Sequence, residues 1–238
     1  MHDNAGCGVW ERETLLRIDD DARSRVRAGV MHASPVAARP AGEALVAEME
    51  TTAARMLSTH AGQSPGAIPG LAAARELYRA FGMDPTHTRP SSEALLRRVL
   101  QGKGLPRILN GVDLCNLCAL RFLLPIGLYD AASVAPPVTL RRGRPGETYA
   151  GIRKDEVHLE GRPVLVDARG PFGNPTSDSL RTSVSPSTRA LVMVIFAPSD
   201  YAGDVLKEHV VEAGAEAARH LADGTAAVVT SLHLVPGE

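Results

Sequence analysis

Apolar positions along the chain change period several times, and each period predicts an element. From Ser24 to Ser34, Val26, Ala28 and Val30 alternate with Arg25, Arg27 and Gly29, which predicts a half-buried strand; Thr14 to Ile18 reads as a shorter strand before it. Pro35 to Gly42 is a connector. From Glu43 to His60, Leu45, Met49, Ala53, Met56 and Leu57 recur at near-helical spacing, so this stretch is an amphipathic helix. Ala61 to Gly70 carries loop residues, and a short helix follows over Leu71 to Phe81. Pro85 to Pro90 is extended, because each residue before a proline is pushed out of the helical region.

Ser91 then stands as the N-cap of a helix with Glu93 in its first turn. Its buried stripe is Leu95, Leu96, Val99 and Leu100, and Gly102 and Gly104 stop it. Val112 to Leu124 predicts a buried helix ended by Pro125. Beyond it, Val138 to Arg142, Thr148 to Ile152 and Pro163 to Asp167 are short strands between Gly/Pro turns. Gly170 to Pro175 and Ser177 to Pro186 form a long polar loop, which a compact domain carries when it is functional or mobile. Leu191 to Phe196 is an inner strand, Asp200 to Leu221 an Ala-rich helix, and Ala226 to Val235 a closing strand. No repeat is present. Strands dominate the second half, which predicts an α+β chain with a mixed or antiparallel sheet flanked by helices. We expect a single domain over 1–238, with its core at about 26–221 and an N-terminal extension at 1–25.

Composition narrows the function classes. The 238 residues carry 26 Lys plus Arg against 27 Asp plus Glu, which disfavours a generic charge-driven nucleic-acid binder while leaving local basic patches possible. Aromatics at 4% argue against a multi-base stacking platform. No apolar run approaches the ~18–20 residues of a membrane span, and the opening MHDNAGCGVWERE has acids where a signal peptide needs basic and then apolar residues. Three cysteines without framework spacing point to a reducing cytoplasm. No membrane partner is expected.

Phosphate-loop, nucleophile-elbow, zincin and dinucleotide motifs are absent, and the eight histidines are scattered, so neither a metal nor a cofactor is expected. Cys115 and Cys118 form a CxxC within an apolar helical run, which favours buried structural thiols over a redox pair or a zinc site. Two windows are locally basic. One holds Arg97, Arg98, Lys103 and Arg107 with no acid; the other holds Arg141, Arg142, Arg144, Arg153 and Lys154 against Glu147. Either suits a phosphate backbone or a solvated face. Asp113 and Asn116, polar residues in an apolar helix, must be hydrogen-bonded; they brace neighbouring loops, or Asn116 faces a ligand. The segment Asn174 to Thr182 walls a pocket or simply makes turns.

Four blocks read together resemble a known family. They are Arg89-Pro-Ser-Ser-Glu-Ala-Leu-Leu-Arg-Arg98, Gly104-Leu-Pro-Arg-Ile-Leu-Asn-Gly-Val-Asp-Leu-Cys-Asn116, Leu124-Pro-Ile-Gly-Leu-Tyr-Asp130 and Leu140-Arg-Arg-Gly-Arg-Pro-Gly-Glu147. These resemble the B3/B4 domain, the editing module of the phenylalanyl-tRNA synthetase β subunit, which also occurs as freestanding proteins. The resemblance spans about Val26 to Leu221. It implies a B3/B4-like α+β fold and an editing ancestry: the synthetase module hydrolyses the ester joining a wrong amino acid, tyrosine, to its tRNA.

The departures bear on specificity. The synthetase block has the form Gln-Pro-x-His-x-Phe-Asp, and its histidine position here is Gly127; Val194 stands where the synthetase strand carries a glutamate. A site selective for the tyrosine hydroxyl needs buried polar partners, so this pocket is not expected to select tyrosine. An aminoacyl ester is already activated, so a held water with amide donors aimed at the developing oxyanion suffices for hydrolysis.

The resemblance thus implies a trans-editing aminoacyl-tRNA hydrolase of unidentified amino acid. In that reading Asn116, Gly127, Gly173, Asn174, Asp178, Ser179, Arg181 and Thr182 bind the small amino-acid moiety. Asp113 supports the backbone, and Arg97, Arg98, Lys103, Arg107, Arg141 and Arg142 meet the acceptor end of tRNA. Two alternatives stay open: a non-catalytic module that binds tRNA or an amino acid, and a small-molecule enzyme on a reused fold.

Overall fold

Two four-stranded sheets meet through one apolar layer in the computed structural model, which describes residues 16–152, 154–222 and 229–235. The elements are β1 (Leu16–Ile18), α1 (Asp20–Arg23), β2 (Val26–Ser34), α2 (Glu43–His60), α3 (Ala72–Ala80), α4 (Ser91–Leu100), α5 (Asn110–Phe122), β3 (Ile126–Asp130), β4 (Val138–Arg142), β5 (Thr148–Gly151), β6 (Lys154–His158), β7 (Pro163–Asp167), β8 (Gly170–Gly173), β9 (Leu191–Pro198), α6 (Gly203–His220) and β10 (Val229–Val235). One sheet has the order β1-β4-β7-β8, the other β10-β2-β9-β3, and β5 and β6 form a separate hairpin. Only β1 and β4 run parallel among the named pairs. The α+β reading therefore holds, with one mixed and one antiparallel sheet.

Val26, Ala28, Val30, Val192, Val194 and Phe196 from one sheet pack with Leu16, Val138, Leu140, Leu165 and Phe172 from the other. The opposite face of the second sheet carries Met31, Ala33, Met193 and Ile195, covered by Leu114, Leu117 and Cys118 of α5 and Leu206 and Val210 of α6. Helices α2 and α4 close a third apolar cluster over Leu120.

Several expectations are corrected. Strand β2 is buried on both faces rather than one, because it lies inside its sheet with apolar layers above and below. Ser91 is the first helical residue of α4; Pro90 holds the cap position, at φ −53° and ψ 142°. Helix α5 ends at Phe122, where Leu123 turns left-handed at φ 55°, two residues before Pro125. Three strands escaped the sequence reading: β3, β6 and β8. Strand β8 is Gly-Pro-Phe-Gly, a composition that reads as a turn and becomes a strand only by pairing with β7. The sequence-assigned positions Thr14, Leu15, Cys7, Arg153 and 226–228 lie outside the described residues.

Candidate functional site

The free edges of both sheets converge. Strand β3 is the outer strand of one sheet and β8 of the other, and the chain leaving β8 runs past both. That chain, Asn174 to Ser183, is the polar stretch expected to be functional or mobile, and it is pinned. Asn174 Oδ1 accepts from the N–H groups of Thr176 (2.7 Å) and Ser177 (2.9 Å), an Asx turn. Three of the chain's four tyrosines hold it as well. Tyr78 donates to the Pro175 carbonyl at 3.0 Å, Tyr149 donates to the Ser177 carbonyl, and Tyr129 donates to Asp178 Oδ1 at 2.8 Å. Asn174 Nδ2 donates to the Tyr149 hydroxyl at 2.8 Å. Burial raises all three phenols well above their ordinary range, so they stay protonated donors.

Two lobes of one cleft open beside this loop. The inner lobe, about 340 Å3, is walled by Ile108, Val112, Cys115, Ile126, Leu128, Ile152 and Val184, with Asn174, Thr176, Ser177 and Asp178 along one side. The outer lobe, about 670 Å3, is bordered by His87, Arg89, Arg98, Pro106 and Arg162. Ser91, Asn116 and Thr176 line both, so they mark the constriction between them. Helical geometry places Asn116: with Val112 and Cys115 it lies within one turn on α5, on the side that lines the inner lobe, while Leu114, Leu117 and Cys118 go into the core, whose edge Cys115 also joins.

The constriction carries unused hydrogen-bonding capacity. The Asn116 amide makes no side-chain hydrogen bond among the described residues, and Ser91 Oγ is enclosed without a partner. Asp113, by contrast, accepts from the Ile108 N–H at 2.8 Å and so braces the turn before α5. Of the two alternatives left open for this polar pair, Asp113 takes the bracing role, and Asn116 lines the cleft with its amide unpaired.

Asp178 is the charged group of the inner lobe. Burial raises its carboxyl to about 7, against the Tyr129 hydroxyl and the backbone N–H groups of Leu128 and Asn174, which stabilise the ionised form. No Lys, Arg or His among the described residues pairs with it. The Cys115 thiol, also on this wall, is pushed far up by burial and is no nucleophile at neutral pH.

The remaining expected ligand residues do other things. Gly127 and Gly173 do not open onto the cleft. A Cβ on Gly127 would fall 2.0 Å from the Tyr129 hydroxyl, and one on Gly173 would fall 2.3 Å from it. Both are glycine because the phenol passes between them. Gly127 pairs in register with Val194, so the two positions that depart from the synthetase pattern face each other across the strand pair. Ser179 and Thr182 share a hydrogen bond of 3.0 Å between buried hydroxyls, and Thr182 donates to the Phe172 carbonyl at 3.3 Å. Arg181 grips Asp167 with two hydrogen bonds of 3.0 Å. These three hold the loop to β7 and β8.

The basic windows also divide. Arg98 borders the outer lobe, its guanidinium on the carbonyls of Lys103 and Gly104. Arg97 lies 3.3 Å from Glu93, a buried carboxylate that Arg75 holds with two bonds and Arg89 approaches at 3.8 Å. Lys103 and Arg107 line a separate groove against α2, where Arg107 pairs with Glu50 at 2.5 Å. Arg141 is a correction: it is 7% exposed and holds Glu147 with bonds of 2.6 and 2.8 Å, so its charge is spent inside the protein. Arg142 is exposed. Sequence reasoning missed Arg162, which borders the outer lobe without a side-chain hydrogen bond or ion pair among the described residues. It also missed Ser91, Tyr78, Tyr129 and Tyr149; the concentration of scarce tyrosines at buried positions was the available signal.

Elsewhere, Glu48, Glu216 and His220 offer ligand atoms within 4.8 Å of one another. Arg121 bonds both carboxylates at 3.0 Å and Arg219 reaches Glu48 at 2.6 Å, so the cluster is an ion-pair network. No helix among the described residues is long and apolar enough to cross a membrane.

Comparison with known proteins places the cleft in context. No curated protein matches the chain. One similar solved structure is an N-terminal fragment of the phenylalanyl-tRNA synthetase β-subunit from Pyrococcus horikoshii, at 13% identity and a TM-score of 0.41. The match covers 84% of this chain and 48% of that one, so this chain corresponds to about half of that fragment's length. The family model of the B3/4 domain matches residues 73–204, more than half of the 238-residue chain and a span that encloses every residue of the constriction. The chain belongs to the B3/4 domain family.

Proposed function

We propose that this protein is a trans-editing deacylase, which hydrolyses the ester between an amino acid and the acceptor end of a mischarged tRNA. The observation that carries this reading is the two-lobed cleft: a cationic outer lobe joined through a polar constriction to a small, mostly apolar inner one. A terminal nucleotide with its phosphates suits Arg89, Arg98 and Arg162, and an amino-acid side chain suits the inner lobe. The ester then lies beside Ser91, Asn116 and Thr176.

Hydrolysis adds water across the ester. Its oxygen bonds to the carbonyl carbon, the ribose oxygen leaves with one of the water's protons, and the amino acid departs as the carboxylate, its second proton passing to solvent. The Asn116 amide and the Ser91 hydroxyl are donors with spare capacity where negative charge develops on the carbonyl oxygen. One such donor is worth roughly 10²–10³ in rate. Arg98 and Arg162 are the cations of this reading; Arg97, Lys103, Arg107 and Arg142 extend it toward the acceptor stem. The compartment that suits this substrate is the cytoplasm, with the whole chain acting as one domain.

One observation favours a second reading. Ser91, Asn116 and Thr176 contain no group that titrates near neutrality, so the same cleft could bind the charged end without cleaving it. A deacylation screen separates the two. The purified chain is incubated with correctly and wrongly charged aminoacyl-tRNAs, and ester loss is followed above the spontaneous rate. Loss confined to a few amino acids is expected. A folded protein that accelerates none of them is a binding module.

A further inference from the structure

We propose that the inner lobe selects an α-amino acid with an aliphatic side chain, seating its α-ammonium on Asp178. This rests on the reading of the cleft as a site for a charged tRNA end, and it names the class of amino acid that end carries.

Charge complementarity comes first. Asp178, half-buried, lines the inner lobe with a desolvated carboxylate and has no cationic side chain paired with it among the described residues. Its two oxygens accept from neutral donors: the Tyr129 hydroxyl at 2.8 Å on Oδ1 and the Leu128 N–H at 3.4 Å on Oδ2. Neutral donors fix a carboxylate in place without cancelling its charge. The other titratable groups that face it are Tyr78, Tyr129, Tyr149 and Cys115, all held neutral by burial. A desolvated acid without a counter-ion is costly unless a cationic ligand supplies one. The compact cation that every aminoacyl ester presents, two bonds from its carbonyl, is the α-ammonium.

The walls decide the side chain. Ile108, Val112, Ile126, Leu128, Ile152 and Val184 are all aliphatic. Apart from Ser91 and Asn116, which stand at the constriction beside the ester, the neutral polar side chains of the lobe are already committed. Thr176 is tied to Tyr78 at 2.8 Å, Asn174 to the Thr176 and Ser177 N–H groups and to Tyr149, and Ser183 to the Leu180 carbonyl at 2.8 Å. Ser177 is likewise engaged. A substrate hydroxyl carried past the constriction would lose its water and meet aliphatic walls and neutral polar side chains already hydrogen-bonded, so hydroxylated and charged side chains are disfavoured. About 340 Å3 leaves room for a branched aliphatic chain.

The test uses the full chain and non-hydrolysable mimics of the charged end: 3′-(L-leucylamino)-3′-deoxyadenosine, its N-acetyl derivative and the L-tyrosyl counterpart, titrated by calorimetry. Acetylation of the amine and replacement of leucyl by tyrosyl should each weaken binding to the wild type at least tenfold. In Asp178→Asn the preference for the free amine should vanish. Equal affinity for free and acetylated leucyl mimics overturns the proposal, as does an Asp178→Asn variant that keeps the preference. A tyrosyl mimic that binds as well as the leucyl one overturns the aliphatic assignment. If Asp178→Asn fails to fold, the wild-type comparison alone decides. Binding with this selectivity but no hydrolysis of any aminoacyl-tRNA removes the deacylase reading and leaves the ammonium site. Hydrolysis that is indifferent to N-acetylation removes the ammonium site alone.

Discussion

The Tyr129 hydroxyl donates to Asp178 Oδ1 at 2.8 Å after passing between Gly127 and Gly173. One buried phenol therefore joins the outer strands of both sheets to the carboxylate of the inner lobe. Its ring meets Phe172 edge-on, with centroids 5.0 Å apart and planes at 86°. The fold and the proposed specificity share this contact.

Adding a methyl group at Gly127 tests how rigid that arrangement is. The nearest atom is the end of an aromatic ring that is itself fully buried, so it has no room to swing aside. Gly127→Ala should cost about 1–3 kcal/mol, read from urea unfolding. A neutral result would show that the phenol moves freely.

Removing only the hydroxyl should act on the acid. Tyr129→Phe takes away a hydrogen bond that favours ionised Asp178, so its pKa should climb above about 7. The shift is read from the carboxyl carbon chemical shift over a pH titration. A fall would contradict the assigned donor direction.

Acidity should couple to both binding and stability. The folded pKa of Asp178 is raised above its ordinary value by burial, so its protonated form stabilises the fold most below about pH 4, and that contribution is lost as pH rises to about 7. Asp178→Asn should flatten this segment of the stability profile. Amine binding should run the opposite way, strengthening from pH 6 to 8 with proton release, because the ionised carboxylate is the form that holds an ammonium. Calorimetry in buffers of different ionisation enthalpy measures the protons released.

Asn116→Ala should separate function from folding. The amide has no side-chain partner to lose, so stability should stay within about 0.5 kcal/mol. Deacylation should fall by roughly 10²–10³ while affinity for the non-hydrolysable mimic changes little.

Two arginines should respond in opposite senses. Arg162→Ala should weaken tRNA binding and reduce the slope of log affinity against log salt by about 1, leaving the fold unchanged. Arg141→Ala should destabilise by about 1–3 kcal/mol, because it leaves partly buried Glu147 with only the Arg144 N–H as a partner, without changing the salt slope. Filter binding over a salt series and urea unfolding read the two effects.

What the sequence determined by itself is the set of elements whose signal is local. Helix α2 spans Glu43–His60 as its periodicity requires, and β7 spans Pro163–Asp167. The α+β class and the membership of the B3/4 family were legible in the same way, from element order and from block spacing. Asn116 was marked as a candidate because an amide in an apolar helix must find a partner or meet a ligand.

Tertiary structure decided what depends on distant neighbours. Two-sided burial of β2 comes from layers that the strand cannot announce, and β8 exists only through its pairing with β7. Charge in the first basic window was redistributed by acids near and far: Glu50 takes Arg107 from a distant helix, and Glu93, one turn from Arg97, is shared with Arg75 and Arg89. Gly127 and Gly173 read as ligand-approach glycines and prove to be the channel for Tyr129. Local pattern records which residues prefer to be buried or turned. That Tyr129 also fills the space beside Gly173, or that Glu50 neutralises Arg107, is settled by packing between segments tens of residues apart, and that information is carried by no short stretch of the chain.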